Sequence, residues 1–359
     1  MTGALLFVAG LAVLLAGAEA LVRGAARLAT ALGVSALGVG LTVVAFGTSA
    51  PELAVSVQAA FLGRNGGADI ALGNVVGSNI FNVLFILGLS ALVAPLAVSR
   101  PLVTRDVPIL IAVSVLVALL GLDGRLDRLD GLLLFAGILV YTLYLIVEGR
   151  RARAGTATTR SGRWEIDGQA VWPLLQVIVG LVMLVLGARW LLEGAVGLAR
   201  AWGVSELVIG LTLVAAGTSL PELATSVVAS LKGQRDIAIG NIVGSNIFNI
   251  LSVLGLSAIV APDGLPVAAA ALDFDIPVMI AVAVVCLPVF VSGYGIARWE
   301  GAVFFGYYLA YTAYLALDAT RHALLPVFNQ AMWLVVIPVT VIVLAVSMAR
   351  FLRARSPKA

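Results

Sequence analysis

Two glutamates stand inside otherwise apolar segments of this chain, each at the end of the same short motif. Glu52 closes Gly-Thr-Ser-Ala-Pro-Glu, and Glu222 closes Gly-Thr-Ser-Leu-Pro-Glu. A charged side chain at the centre of a bilayer costs about 2.5–3.5 kcal/mol even on the gentlest scale, so such residues usually face the protein interior or mark an ion path. Each motif also has the pattern of a capping box, in which Ser49 or Ser219 opens a helix and the glutamate follows three residues later.

The proline in each motif is expected to break the helix. Pro51 and Pro221 lack an N–H group, so the carbonyls four residues before them lose their helical donors. The carboxyl end of a helix carries partial negative charge, which attracts cations. Irregular backbone at membrane depth is tolerated only around protein or a water-filled cavity. We therefore expect carbonyl oxygens near each break to turn toward a cation. These carbonyls belong to Ala45, Thr48, Ala215 and Thr218.

A second duplicated motif, Gly-Asn-x-x-Gly-Ser-Asn-Ile-Phe-Asn, occupies residues 73–82 and 240–249. Polar side chains recur in it at every fourth residue, which stacks them on one helical face. They are Asn74, Ser78 and Asn82 in the first copy, and Asn241, Ser245 and Asn249 in the second. We expect the last two of each triplet to contact a cation. For Asn79 and Asn246 the pattern leaves two interpretations open, cation contact and helix packing.

The candidate ligands of both motifs are all oxygen atoms. Hard cations prefer such ligands, and Ca²⁺ typically takes about 6–8 of them. The chain has one cysteine, Cys286, and one histidine, His322. Zinc and copper sites use such softer ligands, so the composition argues against them. No organic cofactor is expected.

Composition places these motifs in a membrane. Hydrophobic residues make up 61% of the 359 residues and charged residues only 11%, against about 25% charged in soluble domains. About 20 apolar residues span a bilayer, and the chain offers eleven such runs. The predicted spans are 3–29, 35–62, 69–95, 106–122, 131–147, 172–199, 205–231, 236–261, 274–292, 299–317 and 332–349.

The two halves of the chain repeat each other. At an offset of 170, residues 33–59 and 203–229 agree at 19 of 27 positions, and at an offset of 167, residues 69–95 and 236–262 agree at 21 of 27. Five spans per repeat is an odd number, so the second repeat enters the membrane from the opposite face. Inverted repeats of this kind are typical of secondary transporters with a site near the midplane. Two pairs of opposite charge spaced i,i+4, Glu19 with Arg23 and Arg189 with Glu193, are expected to pair locally.

The motifs Gly-Thr-Ser-x-Pro-Glu and Gly-Asn-x-x-Gly-Ser-Asn, present once in each inverted half, resemble the α-repeats of the cation/calcium exchanger superfamily. The resemblance is to its prokaryotic sodium/calcium exchangers and covers residues 1–318. It implies an all-α integral membrane protein of ten helices, multi-pass in a prokaryotic plasma membrane, that exchanges Na⁺ for Ca²⁺ by alternating access. The expected boundaries are 1–147 and 172–318 for the repeats, 148–171 for a cytoplasmic linker, and 319–359 for an extra helix and a basic tail.

The resemblance also implies a ligand set. Glu52, Glu222 and the carbonyls of Thr48 and Thr218 would form a central Ca²⁺ site. Flanking Na⁺ sites would use Ala45, Ser49 and Ser78 on one side and Ala215, Ser219 and Ser245 on the other. Asn82 and Asn249 would line the middle. Some exchangers of this family have aspartate at one of these two positions, which changes the charge of the site.

Other functions remain open at this point. A H⁺/Ca²⁺ antiporter is the nearest alternative, because a buried glutamate can carry protons. A cation channel would need a continuous pore, and an intramembrane enzyme would need a nucleophile with its base or a metal triad. The expected partners are Ca²⁺ and Na⁺ as substrates and the lipid bilayer, with no nucleic acid.

The distribution of basic residues predicts the orientation. Sixteen of the 22 lysines and arginines fall on one side of the predicted spans and six on the other, and the richer side is cytoplasmic by the positive-inside rule. The N-terminus is then outside and the C-terminus inside. We predict that a C-terminal reporter active only outside the cytoplasm stays silent. An active reporter would mean that residues 332–349 do not span or that the orientation is reversed.

Overall fold

The computed structural model describes residues 2–32, 35–62, 67–156, 168–201 and 215–355. Within these ranges the chain is helical apart from two short strand pairs and the connecting turns. The helices of the first half are α1 (Thr2–Leu32), α2 (Ala36–Thr48), α3 (Ala50–Leu62), α4 (Gly67–Ile80, Phe81–Leu87 and Gly88–Val93), α5 (Leu102–Asp106 and Val107–Leu120) and α6 (Arg128–Thr156).

The second half repeats this order. Its helices are α7 (Gly168–Ala201), α8 (Ala215–Gly217), α9 (Leu220–Leu231), α10 (Arg235–Phe248, Asn249–Leu254 and Gly255–Val260), α11 (Ala271–Asp275 and Ile276–Val291) and α12 (Arg298–Ala319), followed by α13 (Leu325–Ala331, Met332–Val336 and Ile337–Arg355). α6 and α7 extend the membrane helices into the predicted linker 148–171, and residues 157–167 of that linker lie outside the described residues.

By length and composition, eight helices in the described part can cross a membrane, and α2 with α3 forms a ninth span. The sequence predicted eleven. The tenth, α12, has 22 residues and is about 33 Å long, but four tyrosines lower its mean hydropathy. These are Tyr307, Tyr308, Tyr311 and Tyr314. The seventh was predicted over 205–231, and its residues 205–214 lie outside the described ranges.

The predicted break in the second span is present. α2 and α3 meet at Ser49 with a bend of 47°. Regular hydrogen bonding resumes one residue after Glu52, where Leu53 N donates to Ser49 O at 3.1 Å. Pro51 explains the interruption, because it has no N–H for the Gly47 carbonyl. In the second repeat, α8 ends at Gly217 and α9 begins at Leu220, so the break falls at the equivalent place.

α1 and α7, which are equivalent helices, pack against each other in antiparallel orientation, as inverted repeats require. Glycines spaced seven residues apart line both sides of the contact. They are Gly3, Gly10, Gly17 and Gly24 on α1, and Gly180, Gly187 and Gly194 on α7. A Cβ on Gly10 would lie 2.3 Å from the backbone nitrogen of Leu191, and one on Gly187 would lie 2.4 Å from that of Leu14. The close approach of two membrane helices therefore depends on these glycines.

α4 and α10 form the centre of the fold. In the most apolar 18-residue stretch of α4 and of α10, 78% and 89% of the residues are buried, against 33% in the same stretch of α1 and of α7. The repeats interlock around them. The end of α4 packs on α12, where Gly88 meets the backbone of Phe305, and the end of α10 packs on α6, where Gly255 meets that of Phe135. Each central helix is thus covered by the last helix of the other repeat.

Short strands join the repeats at both ends of the helices. β1 (Leu96–Ala97) pairs with β4 (Gly295–Ile296), and β2 (Arg125–Leu126) pairs with β3 (Leu265–Pro266), both antiparallel. Each ladder contains one strand from each repeat. These strands were not predicted, because two residues are too few to give an alternating pattern.

Two equivalent tyrosine–aspartate pairs connect α5 to α6 and α11 to α12. Tyr141 donates to Asp106 Oδ1 at 3.0 Å, and Tyr311 donates to Asp275 Oδ1 at 2.8 Å. The first pair is extended by Arg105, which forms ion pairs with both Asp106 and Glu148. In the second repeat Phe274 occupies the place of that arginine and stacks on Tyr311.

The predicted local pairs of opposite charge are confirmed. Arg23 pairs with Glu19, and Arg189 Nε lies 4.0 Å from Glu193 Oε1. Glu19 also accepts a hydrogen bond from Lys232 Nζ at 2.6 Å. This contact ties α1 to the end of α9. The residue equivalent to Lys232 in the first repeat is Leu62.

The extra helix α13 lies at the periphery. None of its most apolar 18-residue stretch is buried, and Tyr307 Oη of α12 contacts it at Thr340 Oγ1, at 2.7 Å, and at the Val336 carbonyl, at 3.4 Å. Its exposed valines and leucines suit contact with lipid.

The glycines that line the contact between α1 and α7, here called the glycine seam, predict that two substitutions on α7 differ in their effect on stability. Gly187→Val places its side chain against the backbone of Leu14, and overpacking of this kind destabilises by about 1–3 kcal/mol. We expect a lower melting temperature of the purified protein in detergent, measured by intrinsic fluorescence. The control is Gly197→Val on the same helix, where a Cβ would lie 3.9 Å from Gly3 Cα. Equal effects of both variants would contradict this account of the seam.

Candidate cation site between the inverted repeats

The two glutamates of the duplicated motif lie fully buried at the helix breaks, and each is bonded to a serine of the opposite repeat. Ser49 Oγ donates to Glu222 Oε1 at 2.8 Å, and Ser219 Oγ donates to Glu52 Oε1 at 2.7 Å. All four side chains have 0% exposure. The sites on the two repeats therefore form one centre.

The capping boxes expected from the sequence do not form. Ser219 is at the N-cap position of α9 but makes no side-chain capping bond, and its hydroxyl donates to Glu52 of the other repeat. In the first repeat the hydroxyl of Ser49 likewise donates to Glu222. The side chains of the serine and the glutamate of each motif therefore do not bond to each other. Each serine donates to the glutamate of the opposite repeat.

A second set of crossed bonds ties each break to the central helix of the other repeat. Thr48 Oγ1 donates to Asn241 Oδ1 at 3.0 Å, and Thr218 Oγ1 donates to Asn74 Oδ1 at 3.3 Å. The amide nitrogen of each asparagine donates within its own repeat, to Ser226 Oγ at 3.0 Å from Asn241 and to Ser56 Oγ at 2.9 Å from Asn74. These two asparagines thus hold the breaks in place.

Four further asparagines form a symmetric network where α4 crosses α10. Asn82 Nδ2 donates to Asn246 Oδ1 at 2.9 Å, and Asn249 Nδ2 donates to Asn79 Oδ1 at 3.2 Å. The amides of Asn79 and Asn246 donate to each other's backbone carbonyls at 3.2 and 3.3 Å. Of the two interpretations that the sequence left open for Asn79 and Asn246, these contacts correspond to helix packing.

Several buried oxygen atoms of this centre have no hydrogen-bond partner. They are Glu52 Oε2, Glu222 Oε2, Asn82 Oδ1, Asn249 Oδ1 and Ser245 Oγ. A buried acceptor without a partner costs about 1–3 kcal/mol, and more when it is charged. Among the described residues no lysine or arginine forms an ion pair with Glu52 or Glu222. These oxygen atoms therefore fit a bound cation, which would balance the charge of the two carboxylates and supply the missing partner of each oxygen.

The remaining candidate ligands lie around the same centre, grouped across the repeats. Ser219 Oγ lies 3.2 Å from Ser78 Oγ. The family resemblance instead implies a Na⁺ site that combines Ser78 with Ser49. The Ala45 carbonyl accepts a hydrogen bond from Ser49 N at 3.0 Å. Thr48 Oγ1 lies 3.4 Å from the same carbonyl, but its single proton is donated to Asn241 Oδ1 at the shorter distance of 3.0 Å. Ala215 begins α8, directly before the second break.

The chemistry of the centre follows from its ligands. Among the described residues no group of three or more histidine, cysteine, aspartate or glutamate side chains can hold a metal ion. The candidate ligands that the structure brings together are two carboxylates with hydroxyl, amide and carbonyl oxygens. Such ligands suit hard cations.

Sequence reasoning missed the residues that support the helix breaks from behind. Ser56 and Ser226 accept hydrogen bonds from Asn74 and Asn241, which in turn bind the threonines at the breaks, and both serines are identical between the two repeats. A third fully buried acidic side chain, Asp106, begins the predicted span 106–122. Asp106 is paired with a basic residue, Arg105, whereas the two glutamates are bonded to serine hydroxyls.

The chain matches one protein family and several membrane proteins of bacteria and archaea. The sequence profile of the family described as sodium/calcium exchanger protein matches residues 2–147 and 172–317. The inner membrane protein YrbG of Escherichia coli is 39% identical over 67% of this chain and 74% of its own length. The sodium/calcium exchanger MaX1 of Methanosarcina acetivorans is 34% identical over 76% of this chain and 87% of its own length.

The fold has a close match among solved structures. The sodium-calcium exchanger NCX_Mj, soaked with 10 mM Na⁺ and zero Ca²⁺, superposes with a TM-score of 0.76 at 30% identity, covering 87% of this chain and 98% of that chain. It was also solved after soaking with Na⁺ and Ca²⁺, with a TM-score of 0.74. The profile match includes both halves of the chain, with Glu52 in the first and Glu222 in the second. On the extent of the profile match and of these relatives, the chain belongs to the sodium/calcium exchanger protein family.

Proposed function

We propose that this chain is a secondary antiporter that exchanges Na⁺ for Ca²⁺ across the membrane by alternating access. The observation that carries the proposal is the pair of buried carboxylates, one from each repeat, with an unpartnered oxygen on each and no basic residue bonded to either among the described residues. Two negative charges match one Ca²⁺. The exchangers MaX1 and NCX_Mj, named for sodium and calcium, support the choice of ions.

Within this proposal the Ca²⁺ ligands come from both repeats. Ca²⁺ is held by Glu52 and Glu222, by the carbonyls of Thr48 and Thr218, and by the free amide oxygens nearby. Those amide oxygens belong to Asn82 and Asn249. The total reaches the six to eight oxygen ligands that Ca²⁺ typically takes.

The Na⁺ ligands follow the crossed contacts. One Na⁺ site uses Glu52 with Ser219 and Ser78, whose oxygens lie together, and the carbonyl of Ala215. By the internal symmetry the other uses Glu222, Ser49 and Ser245, and the carbonyl of Ala45. The Ala45 carbonyl accepts one hydrogen bond, from Ser49 N at 3.0 Å, and its second lone pair can face the ion.

Shared ligands make the process an exchange. Glu52 and Glu222 belong both to the Ca²⁺ site and to the Na⁺ sites, so the two ions compete for the same charge. A midplane site between inverted repeats opens to one side at a time in transporters of this kind. Each reorientation then carries either Ca²⁺ or Na⁺, because the carboxylates without any cation remain buried and uncompensated.

The first test compares driving gradients in proteoliposomes. We expect Na⁺-loaded vesicles diluted into Na⁺-free medium with ⁴⁵Ca²⁺ to accumulate Ca²⁺, because outward Na⁺ movement drives Ca²⁺ inward. The potential is clamped with K⁺ and valinomycin. Vesicles loaded with K⁺ alone are the control and should not accumulate Ca²⁺.

Two outcomes would contradict Na⁺ coupling. Accumulation driven by an acidic vesicle interior, without Na⁺ on either side, would indicate exchange with H⁺. Equal Ca²⁺ flux with and without a gradient of a second cation would indicate a channel.

The second test removes charge from the site. Glu52→Gln or Glu222→Gln should reduce Na⁺-driven Ca²⁺ uptake by at least about 100-fold, since loss of a full negative charge next to a dehydrated ion is worth several kcal/mol. Folding should persist, because the amide oxygen of glutamine still accepts the serine hydroxyl. Uptake is measured together with the elution profile in size-exclusion chromatography.

A matched control exists outside the site. Glu300 is 6% exposed and accepts a hydrogen bond from Ala297 N at 2.8 Å, which glutamine can also accept. Glu300→Gln should therefore keep uptake within about twofold of the unmodified protein. Near-normal uptake in either site variant would exclude the assigned Ca²⁺ ligands.

A further inference from the structure

The asparagine network at the crossing of α4 and α10 contains two kinds of amide. Asn79 and Asn246 are 2% exposed, and both the nitrogen and the oxygen of each side chain are bonded within the network. Asn82 and Asn249 are 0% exposed and are bonded only through their nitrogens, so that their oxygens have no partner. The two pairs of asparagines therefore differ in what their side-chain oxygens can bind: those of Asn79 and Asn246 are occupied, and those of Asn82 and Asn249 are free.

The orientation of a side-chain amide decides whether it can bind a cation. The oxygen accepts and can ligate a positive ion, whereas the NH₂ group presents two donors and repels it. The two groups have nearly the same size, so packing alone does not distinguish the two orientations. A fixed acceptor for the NH₂ group does, because it turns the oxygen to the opposite side.

We propose that Asn79 and Asn246 are positioning residues for the cation site, each fixing the amide of the opposite repeat's ligand. Asn79 Oδ1 holds the NH₂ group of Asn249 at 3.2 Å, and Asn246 Oδ1 holds that of Asn82 at 2.9 Å. Each of these acceptors is itself oriented, because its own NH₂ group donates to a backbone carbonyl across the crossing. This inference rests on the proposed function, in which Asn82 and Asn249 are cation ligands.

The local backbone supports the assignment. π-Helical segments begin at Phe81 in α4 and at Asn249 in α10, so the ligand asparagines lie at the start of a widened turn while Asn79 and Asn246 lie just before it. π-Segments of this kind are frequent at functional sites. Ser78, one turn before Asn82, contacts Ser219 and through it Glu52, which places the network next to the carboxylates.

The test uses the fact that a carboxylate needs no orientation. Aspartate presents oxygen on both sides, so Asn249→Asp makes the acceptor on Asn79 unnecessary for that ligand. We expect Asn79→Ala to weaken equilibrium ⁴⁵Ca²⁺ binding to the purified protein roughly tenfold, within the range of coupling found in one hydrogen-bond network. In the Asn249→Asp background the same substitution should change binding by less than about twofold.

The matched control exchanges the partner. In the Asn82→Asp background Asn79→Ala should again weaken binding roughly tenfold, because Asn79 does not orient residue 82. Each double variant is compared with its own aspartate single variant, so the added charge cancels. If Asn79→Ala does not fold, Asn246→Ala provides the mirror-image test, in which Asn82→Asp suppresses the effect and Asn249→Asp does not.

The outcomes separate this inference from the proposed function. A loss of binding that is equal in both aspartate backgrounds, or no loss at all, would overturn the positioning role and leave exchange untouched. Because binding is measured at equilibrium without a gradient, a protein that binds Ca²⁺ but couples to H⁺ would still show the crossed pattern. A wild-type protein that binds no Ca²⁺ would overturn both.

Discussion

The structure depends on the burial of two carboxylates that have no basic partner among the described residues. Glu52 and Glu222 each receive one hydroxyl hydrogen bond from a serine of the other repeat, and each keeps one oxygen free. An isolated buried charge is strongly unfavourable unless it is compensated. The surroundings compensate it only in part, and this incomplete compensation is the basis of the proposed cation site.

Neither repeat contains a complete site. The serine that holds a glutamate, the asparagine that holds a threonine and the amide that orients a ligand all come from the opposite repeat. The packing has the same property, since each central helix is covered by the last helix of the other half and each strand ladder has one strand from each. The two halves must therefore associate before the site exists.

Much of this arrangement could be predicted from the chain alone. Duplicated motifs and an odd number of spans predicted the inverted repeats, and Pro51 predicted the break that bends the second span by 47°. A sequence gives the helical face on which a residue lies, but it does not give the helix that this face meets. For this reason the sequence predicts Ser49 and Ser219 both as helix caps and as cation ligands but does not reveal their bonds to the glutamates of the opposite repeat, and it leaves two interpretations open for Asn79 and Asn246.

The same limit applies away from the site. The glycines of α1 recur every seven residues in the sequence, but only the structure shows that they face backbone atoms of α7. Tyr141 and Asp106 are 35 positions apart, and no local pattern links them.

The contact between Glu19 and Lys232 has a consequence for the energetics of the whole molecule. If the repeats were identical, the inward-facing and outward-facing states of an alternating-access transporter would be equivalent by symmetry and would have the same free energy. Only unmatched residues can lift that degeneracy. Lys232, which lies 2.6 Å from Glu19 and is replaced by Leu62 in the other repeat, is one of them, and Arg105 opposite Phe274 is another. Under the proposed alternating access, such departures from repetition, and not the duplicated site, set the difference in free energy between the inward-facing and outward-facing states.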